Sequence, residues 1–159
     1  MVNVQSLKEK IYNTFSETAS SIGYSSIHGK IIGALLANEK EMSLQDLANE
    51  TGYSISMISL SLDLLEVFGL VKKVRKIGDR NLYIYLQGDL LECLKNAITI
   101  RVQKSISNTL MEFQEERKNI ERLPKKDREK MLKIIEALEN QIKRLQKYVN
   151  TLSKVKLPK

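Results

Sequence analysis

The 159-residue sequence predicts a mainly α-helical chain carrying one small two-stranded β-sheet. Three observations predict it. Apolar residues recur at helical spacing through most of the chain. Two short runs rich in β-branched and aromatic residues, LVKKVRKI (70–77) and LYIYL (82–86), flank the turn GDRN and read as a hairpin. Near the C-terminal end, apolar residues fall at alternating steps of four and three, an a/d seam held for three heptads.

Each element has a local justification. SLKE at residues 6–9 reads as a capping box, in which a serine accepts from an orphan N–H and a glutamate reaches back. It opens a helix over residues 6–21 with Leu7, Ile11, Tyr12 and Phe15 in one stripe, and SIGYSS breaks it. A second helix covers residues 26–38, with Ile27, Ile31, Ile32, Leu35 and Leu36 apolar. After the turn NEKEM, Ser43 caps a short third helix with Asp46 at the capping-box acid position. Gly52 closes that helix, being free to take positive φ. Ser54 caps a fourth helix whose inward stripe is Ile58, Leu62 and Leu65, and Gly69 ends it. The hairpin follows. Asp89 and Glu92 form another capping box, opening a long helix with the stripe Leu91, Leu94, Ile98, Val102, Ile106, Leu110 and Phe113. Pro124 interrupts it. The last helix carries the seam Met131, Ile135, Leu138, Ile142, Leu145, Val149 and Leu152, with Glu129–Lys133 and Glu139–Lys143 as favourable pairs on its outside.

Composition narrows the function classes. No apolar run approaches the length of a membrane span. The opening MVNVQSLKEK has no export pattern, and a single cysteine fits a reducing interior, so the expectation is a cytoplasmic protein. With one histidine and one cysteine, a zinc site would need mostly carboxylates, and neither a metal nor a cofactor is expected. No nucleophile, acid and base set and no glycine-rich phosphate loop is present, which argues against an enzyme. His28 and Cys93 read as structural residues. The net charge of +7 lies wholly in residues 89–159, because residues 1–88 hold nine basic and nine acidic residues. The basic excess points to nucleic acid or to a solvated lysine-rich surface.

The order of helix, helix, short helix, glycine turn, helix and hairpin is that of a winged helix, its third and fourth helices forming a helix-turn-helix pair. The segments GYSSIHGKIIGALL, MSLQDLANETGYSISMISLSLDLLEVFGLVKKV and KIGDRNLYIY resemble the MarR-like winged-helix regulators, especially the GbsR branch of bacteria and archaea. The resemblance spans residues 11–113, and its most specific pieces are Gly23-Tyr24-Ser25, Ile27-His28-Gly29, Gly69-Leu70-Val71 and Gly78-Asp79-Arg80. It implies an obligate dimer, joined by N- and C-terminal helices, that binds pseudo-palindromic operators, commonly as a repressor and in some members under control of ligands such as choline. Three departures stand out. Ser26 replaces a frequent proline, and Asn81 a frequent basic residue. Ile55, Met57 and Leu60 stand where relatives show small or polar side chains.

Residues 1–22 are thus expected to form an N-terminal dimerisation helix, 23–88 the winged DNA-binding domain, and 89–159 two long dimerisation helices. From Ser54 to Phe68 there is no lysine or arginine, and Asp63 and Glu66 are acids, so the fourth helix cannot hold a polyanion by charge. The run KKVRKIGDR carries a local +4 through Lys72, Lys73, Arg75, Lys76 and Arg80 against Asp79, and the wing is expected to anchor phosphates. Arg80 would reach the minor groove or its phosphates, as the resemblance implies, braced by Asp79, with Asn81 beside it. Ser43, Ser54, Ser56, Ser59 and also Ser61 would offer hydroxyls. Ile55, Met57 and Leu60 would touch thymine methyls, favouring A·T-rich sites. The expected dimer surface is Leu7, Ile11, Phe15, Ile98, Val102, Ile106, Leu110, Phe113, Ile135, Leu138, Ile142, Leu145, Val149 and Leu152. Tyr12, Phe15, Tyr24 and Phe113 read as core, the alternative being an aromatic cage for a cationic effector. A protein-interaction module built on the apolar fourth helix, or a nonspecific chromatin-like DNA binder, are the rival functions.

Overall fold

The computed structural model describes residues 3–158. The element order is α1 (Val4–Ser21), α2 (Ser26–Asn38), β1 (Met42–Ser43), α3 (Leu44–Thr51), α4 (Ile55–Val67), β2 (Val71–Arg75), β3 (Leu82–Leu86), α5 (Leu90–Ile120) and α6 (Lys125–Lys154). The fold is the predicted one, mainly helical with a small antiparallel sheet, and it divides into two compact units on either side of the Cys93–Leu94 bond.

In the first unit, α2, α3 and α4 converge on Ile31, Leu47, Ile58, Leu62 and Leu65, all buried. The capping box before α3 is complete: the Ser43 side chain accepts from the Asp46 N–H, and the Asp46 carboxylate accepts from the Ser43 N–H. Gly52 (φ +74°) and Gly69 (φ +75°) end α3 and α4 in the left-handed region. The sheet has three strands, not two. Met42 pairs with Ile84 and Ser43 with Tyr83, giving the order β1-β3-β2. A two-residue strand shows no alternation, so β1 is silent in the sequence.

Two other expectations need correction. Asn3, not Ser6, caps α1, its side-chain oxygen accepting from the Ser6 N–H at 2.8 Å. Both residues suit a cap, and the earlier one adds a turn of helix. The helix then packs closely on α2. A Cβ on Gly29 would stand 1.9 Å from the Phe15 carbonyl oxygen, so this glycine is what lets the two backbones meet. The buried Tyr12 donates its hydroxyl to Glu50 at 2.9 Å, tying α1 to α3.

The second unit is an antiparallel helix pair. Gln103 donates to Asn150 (3.1 Å), the Lys95 ammonium to the Val155 carbonyl (3.0 Å), and Arg117 forms a two-pronged bridge to Glu139 (2.9 and 3.0 Å). That bridge holds the Glu139 carboxyl below its ordinary pKa, with Lys143 adding to it from 3.8 Å. The α5 stripe does not all face inward: Ile106 is buried, whereas Leu91 and Ile98 are exposed. Its steps from Leu94 to Leu110 are all of four residues. Each overshoots a full turn by about 40° at 3.6 residues per turn, so the stripe winds round the helix.

Candidate nucleic-acid interface

α3, the Gly52 turn and α4 form a helix-turn-helix, and β2 and β3 form the wing that follows it. One face of α4 is spent on the core through Ile58, Ser61, Leu62 and Leu65. The other presents Ser54, Ile55, Ser56, Met57, Ser59 and Leu60 to solvent, with Leu60 as much as 74% exposed. The Ser54 hydroxyl accepts from the Met57 N–H (3.3 Å) and lies 3.1 Å from that of Ser56. Two of the expected serines are engaged elsewhere. Ser61 is buried and donates to the Met57 carbonyl (2.9 Å), and Ser43 is buried with its hydroxyl on Asp46 (2.7 Å). Both are parts of the scaffold behind the surface.

The wing is less positive than its sequence. Lys73 reaches from β2 to both acids of α4, Asp63 at 2.7 Å and Glu66 at 2.8 Å. These hydrogen bonds, Asp63 first and then Glu66, raise the ammonium above its ordinary pKa. Lys76 lies 2.6 Å from Glu41 and 4.2 Å from the centre of the Tyr83 ring, and Glu41 likewise raises it. Neither lysine is a free phosphate anchor. The two acids that looked hostile to DNA share one ammonium from the wing, which offsets half of their charge. Lys72, Arg75 and Arg80 are the cations of the run without a partner among the described residues.

The expected Asp79 to Arg80 brace is not formed. Asp79 accepts from the Asn81 N–H (2.9 Å) and from the Tyr83 hydroxyl (2.7 Å). Those two bonds hold its carboxyl below, and the Tyr83 phenol above, the ordinary values. An aspartate can satisfy neighbouring turn N–H groups at less conformational cost than it can hold a long arginine. Three contributors escaped the sequence reading: Glu41, Tyr83 and the fully exposed Ile77 at the wing tip. Only Ile77 left a signal, an isoleucine inside a polar turn.

Among the predicted dimer residues, Ile106, Ile135 and Val149 are already buried within one chain and are withdrawn from any partner surface. Leu7, Ile11, Ile98, Leu138, Leu145 and Leu152 are exposed, and Phe15, Val102, Leu110, Phe113 and Ile142 are half-buried. The seam on α6 therefore separates into two rows. Ile135, Ile142 and Val149 turn inward, while Met131, Leu138, Leu145 and Leu152, each seven residues from the next, face out.

Tyr12 is core, and Tyr24 stacks edge-on against Phe68 with ring centres 5.4 Å apart. A cleft of about 570 Å³ in the first unit is lined by Leu35, Leu36, Glu39, Lys40, Glu41, Tyr85 and Leu86, and by none of Tyr12, Phe15, Tyr24 and Phe113. Burial raises the Cys93 thiol above its ordinary pKa, which leaves it a poor nucleophile. Among the described residues no helix is long and apolar enough to cross a membrane, and no group of His, Cys, Asp and Glu is arranged to hold a metal ion.

No family model and no curated protein matches the chain. Thirteen solved chains do. A crystal structure of a transcriptional regulator superposes with a TM-score of 0.61 at 15% identity, covering 92% of this chain and 96% of that one. A MepR mutant from S. aureus, bound to an oligodeoxyribonucleotide, gives 0.43 at 16% identity over 86% and 92%. The multiple antibiotic-resistance repressor MarR from Listeria monocytogenes 4b F2365 gives 0.39 at 18% identity over 88% and 87%. At these identities the likeness is one of fold alone, and it rests on the first of the three.

Proposed function

We propose that this chain is a DNA-binding transcriptional regulator of the MarR-like class, akin to its GbsR branch, acting as a homodimeric repressor on pseudo-palindromic, A·T-rich sites. The observation that carries the reading is the exposed outer face of α4, lying beside a wing whose Lys72, Arg75 and Arg80 have no partner among the described residues. α4 enters the major groove, where Ser54, Ser56 and Ser59 donate to or accept from base edges and phosphates, and Ile55, Met57 and Leu60 meet thymine methyls. The wing supplies the phosphate contacts that α4 lacks. Asn81 stands at the tip beside Arg80. A small-molecule effector has no site assigned to it.

A second reading has its own observation. Leu60 and Val67 are more than 70% exposed on a helix with no basic residue, and such a surface also suits a protein partner. Binding of the purified chain to A·T-rich and G·C-rich duplexes, titrated with salt, separates the two. The DNA reading expects affinity that falls with salt by roughly 0.9 logarithmic units per phosphate contacted, and a preference for the A·T-rich duplex. The same slope without preference means nonspecific coating of DNA. No binding at low salt leaves the protein partner.

A further inference from the structure

We propose that Ile77 is an apolar wedge that enters the minor groove beside Arg80 and partly unstacks a base step there. The inference rests on the DNA-binding reading above and adds to it a residue that sets bending and site preference.

A lone exposed apolar residue is ordinary on a protein surface. The loop around this one is not. Ile77 is 106% exposed, as open as a side chain can be, yet both ends of its turn are fixed. On one side the Lys76 ammonium is held by Glu41 at 2.6 Å and by the Tyr83 ring at 4.2 Å. On the other, Asp79 takes the Asn81 N–H and the Tyr83 hydroxyl, and its own N–H returns to the Lys76 carbonyl at 3.1 Å. Gly78, at φ +81°, makes the reversal between them. The polar groups of the turn bind one another, and Ile77 and Arg80 are left projecting. The isoleucine is branched at Cβ, which restricts its rotamers, so little freedom is lost when it inserts.

The occupant follows from the charges. Arg75 and Arg80 stand on either side of the turn with no partner among the described residues. A protein pocket for isoleucine would not ask for two flanking unpaired arginines, whereas a groove walled by phosphates would. Minor-groove proteins insert apolar side chains between base steps in this way and kink the duplex. Steps such as TA open most readily, which gives the wedge a sequence preference without hydrogen bonding.

The test uses the full chain and an A·T-rich duplex with TA steps, in which 2-aminopurine is moved from step to step. Wild-type protein is expected to raise the fluorescence at a step through unstacking. Ile77→Ala is expected to abolish that rise and to weaken binding about tenfold, with the salt slope unchanged because no phosphate contact is lost. Ile77→Leu is expected to retain most of both. Circular dichroism confirms that the exposed substitution leaves the fold intact. If wild-type protein binds without any rise, or if Ile77→Ala matches wild type in rise and affinity, the wedge is overturned while DNA binding stands. If wild-type protein binds no duplex even at low salt, the DNA-binding reading itself fails, and the wedge with it.

Discussion

Lys73 and Arg80 lie seven residues apart on one hairpin, and the structure gives them different electrostatic tasks. Arg80 has no partner among the described residues, so it is available to a phosphate. Lys73 offsets half the charge of Asp63 and Glu66 on α4, within 2.8 Å of each. The two predict different signatures. Arg80→Ala should weaken binding to all duplexes alike and lower the salt slope by about one. Lys73→Ala should also weaken binding, by about tenfold, because two bare carboxylates then face the polyanion. Adding Asp63→Asn and Glu66→Gln should restore most of that loss, and a titration showing no rescue would make Lys73 a phosphate ligand after all. His28 supplies a test of stability. Its ring is half-buried, Nδ1 lies 3.2 Å from the Ser25 carbonyl, and burial holds the imidazole below its ordinary value. The unfolded chain therefore binds a proton that the folded chain resists, starting at about pH 6.5. Stability should be complete above that pH and decline as pH falls toward the lowered folded value. In chemical denaturation at about pH 7 and about pH 5, His28→Gln should show less of this decline than wild type.

At the scale of elements, the α1–α2 contact is the most exposed to a single change. An added methyl at Gly29 meets the Phe15 carbonyl at 1.9 Å, whereas at Gly33 it stands 3.1 Å from the Tyr12 Cα. Gly29→Ala should cost about 3 kcal/mol or more, because backbone rather than a mobile side chain must move. Gly33→Ala should cost clearly less. Thermal melting of the two variants checks the order, and equal losses would mean that helix propensity, not the close approach, governs both. Neither cost is legible in the sequence, where a glycine inside a helical pattern reads only as a weak helix former. The helices themselves were legible, since caps and apolar spacing are local: Ser43 with Asp46, Ser54, Gly52 and Gly69 all do what their spacing implies. The wing was legible as a hairpin from its turn and its alternation. Its charge was not. Lys73 meets α4 because it lies on the same strand face as the buried Val71, and Lys76 meets Glu41 across 35 residues. None of the three acids, Glu41, Asp63 and Glu66, lies inside the nine-residue run that carries the lysines, and so five apparent anchors became three.

At the scale of the whole molecule, the proposed homodimer depends on how α6 divides its seam. In a two-stranded coiled coil both rows of a heptad seam pack on the one neighbour, so a seam with only one row buried has apolar surface left over. Here the antiparallel pairing with α5 accompanies burial of Ile135 and Val149 and leaves Met131, Leu138, Leu145 and Leu152 each 37–46% exposed. Ile134 and the 62% exposed Tyr148 extend the open surface. A regular apolar row along a 30-residue helix is more than a scatter of surface side chains, and the same row on a symmetry-related copy would be a self-complementary partner for it. Leu138→Glu with Leu145→Glu adds four like charges to such a two-fold interface and removes none of the buried row. The double variant should therefore stay folded by circular dichroism yet sediment as a monomer where wild type sediments as a dimer. Its affinity for a palindromic duplex should fall by about a hundredfold or more, because the second half-site is no longer tethered to the first. Affinity for a single half-site should be unchanged, since α4 and the wing lie in the other unit. A wild-type chain that sediments as a monomer at micromolar concentration would assign the outer row of α6 to something other than a second copy.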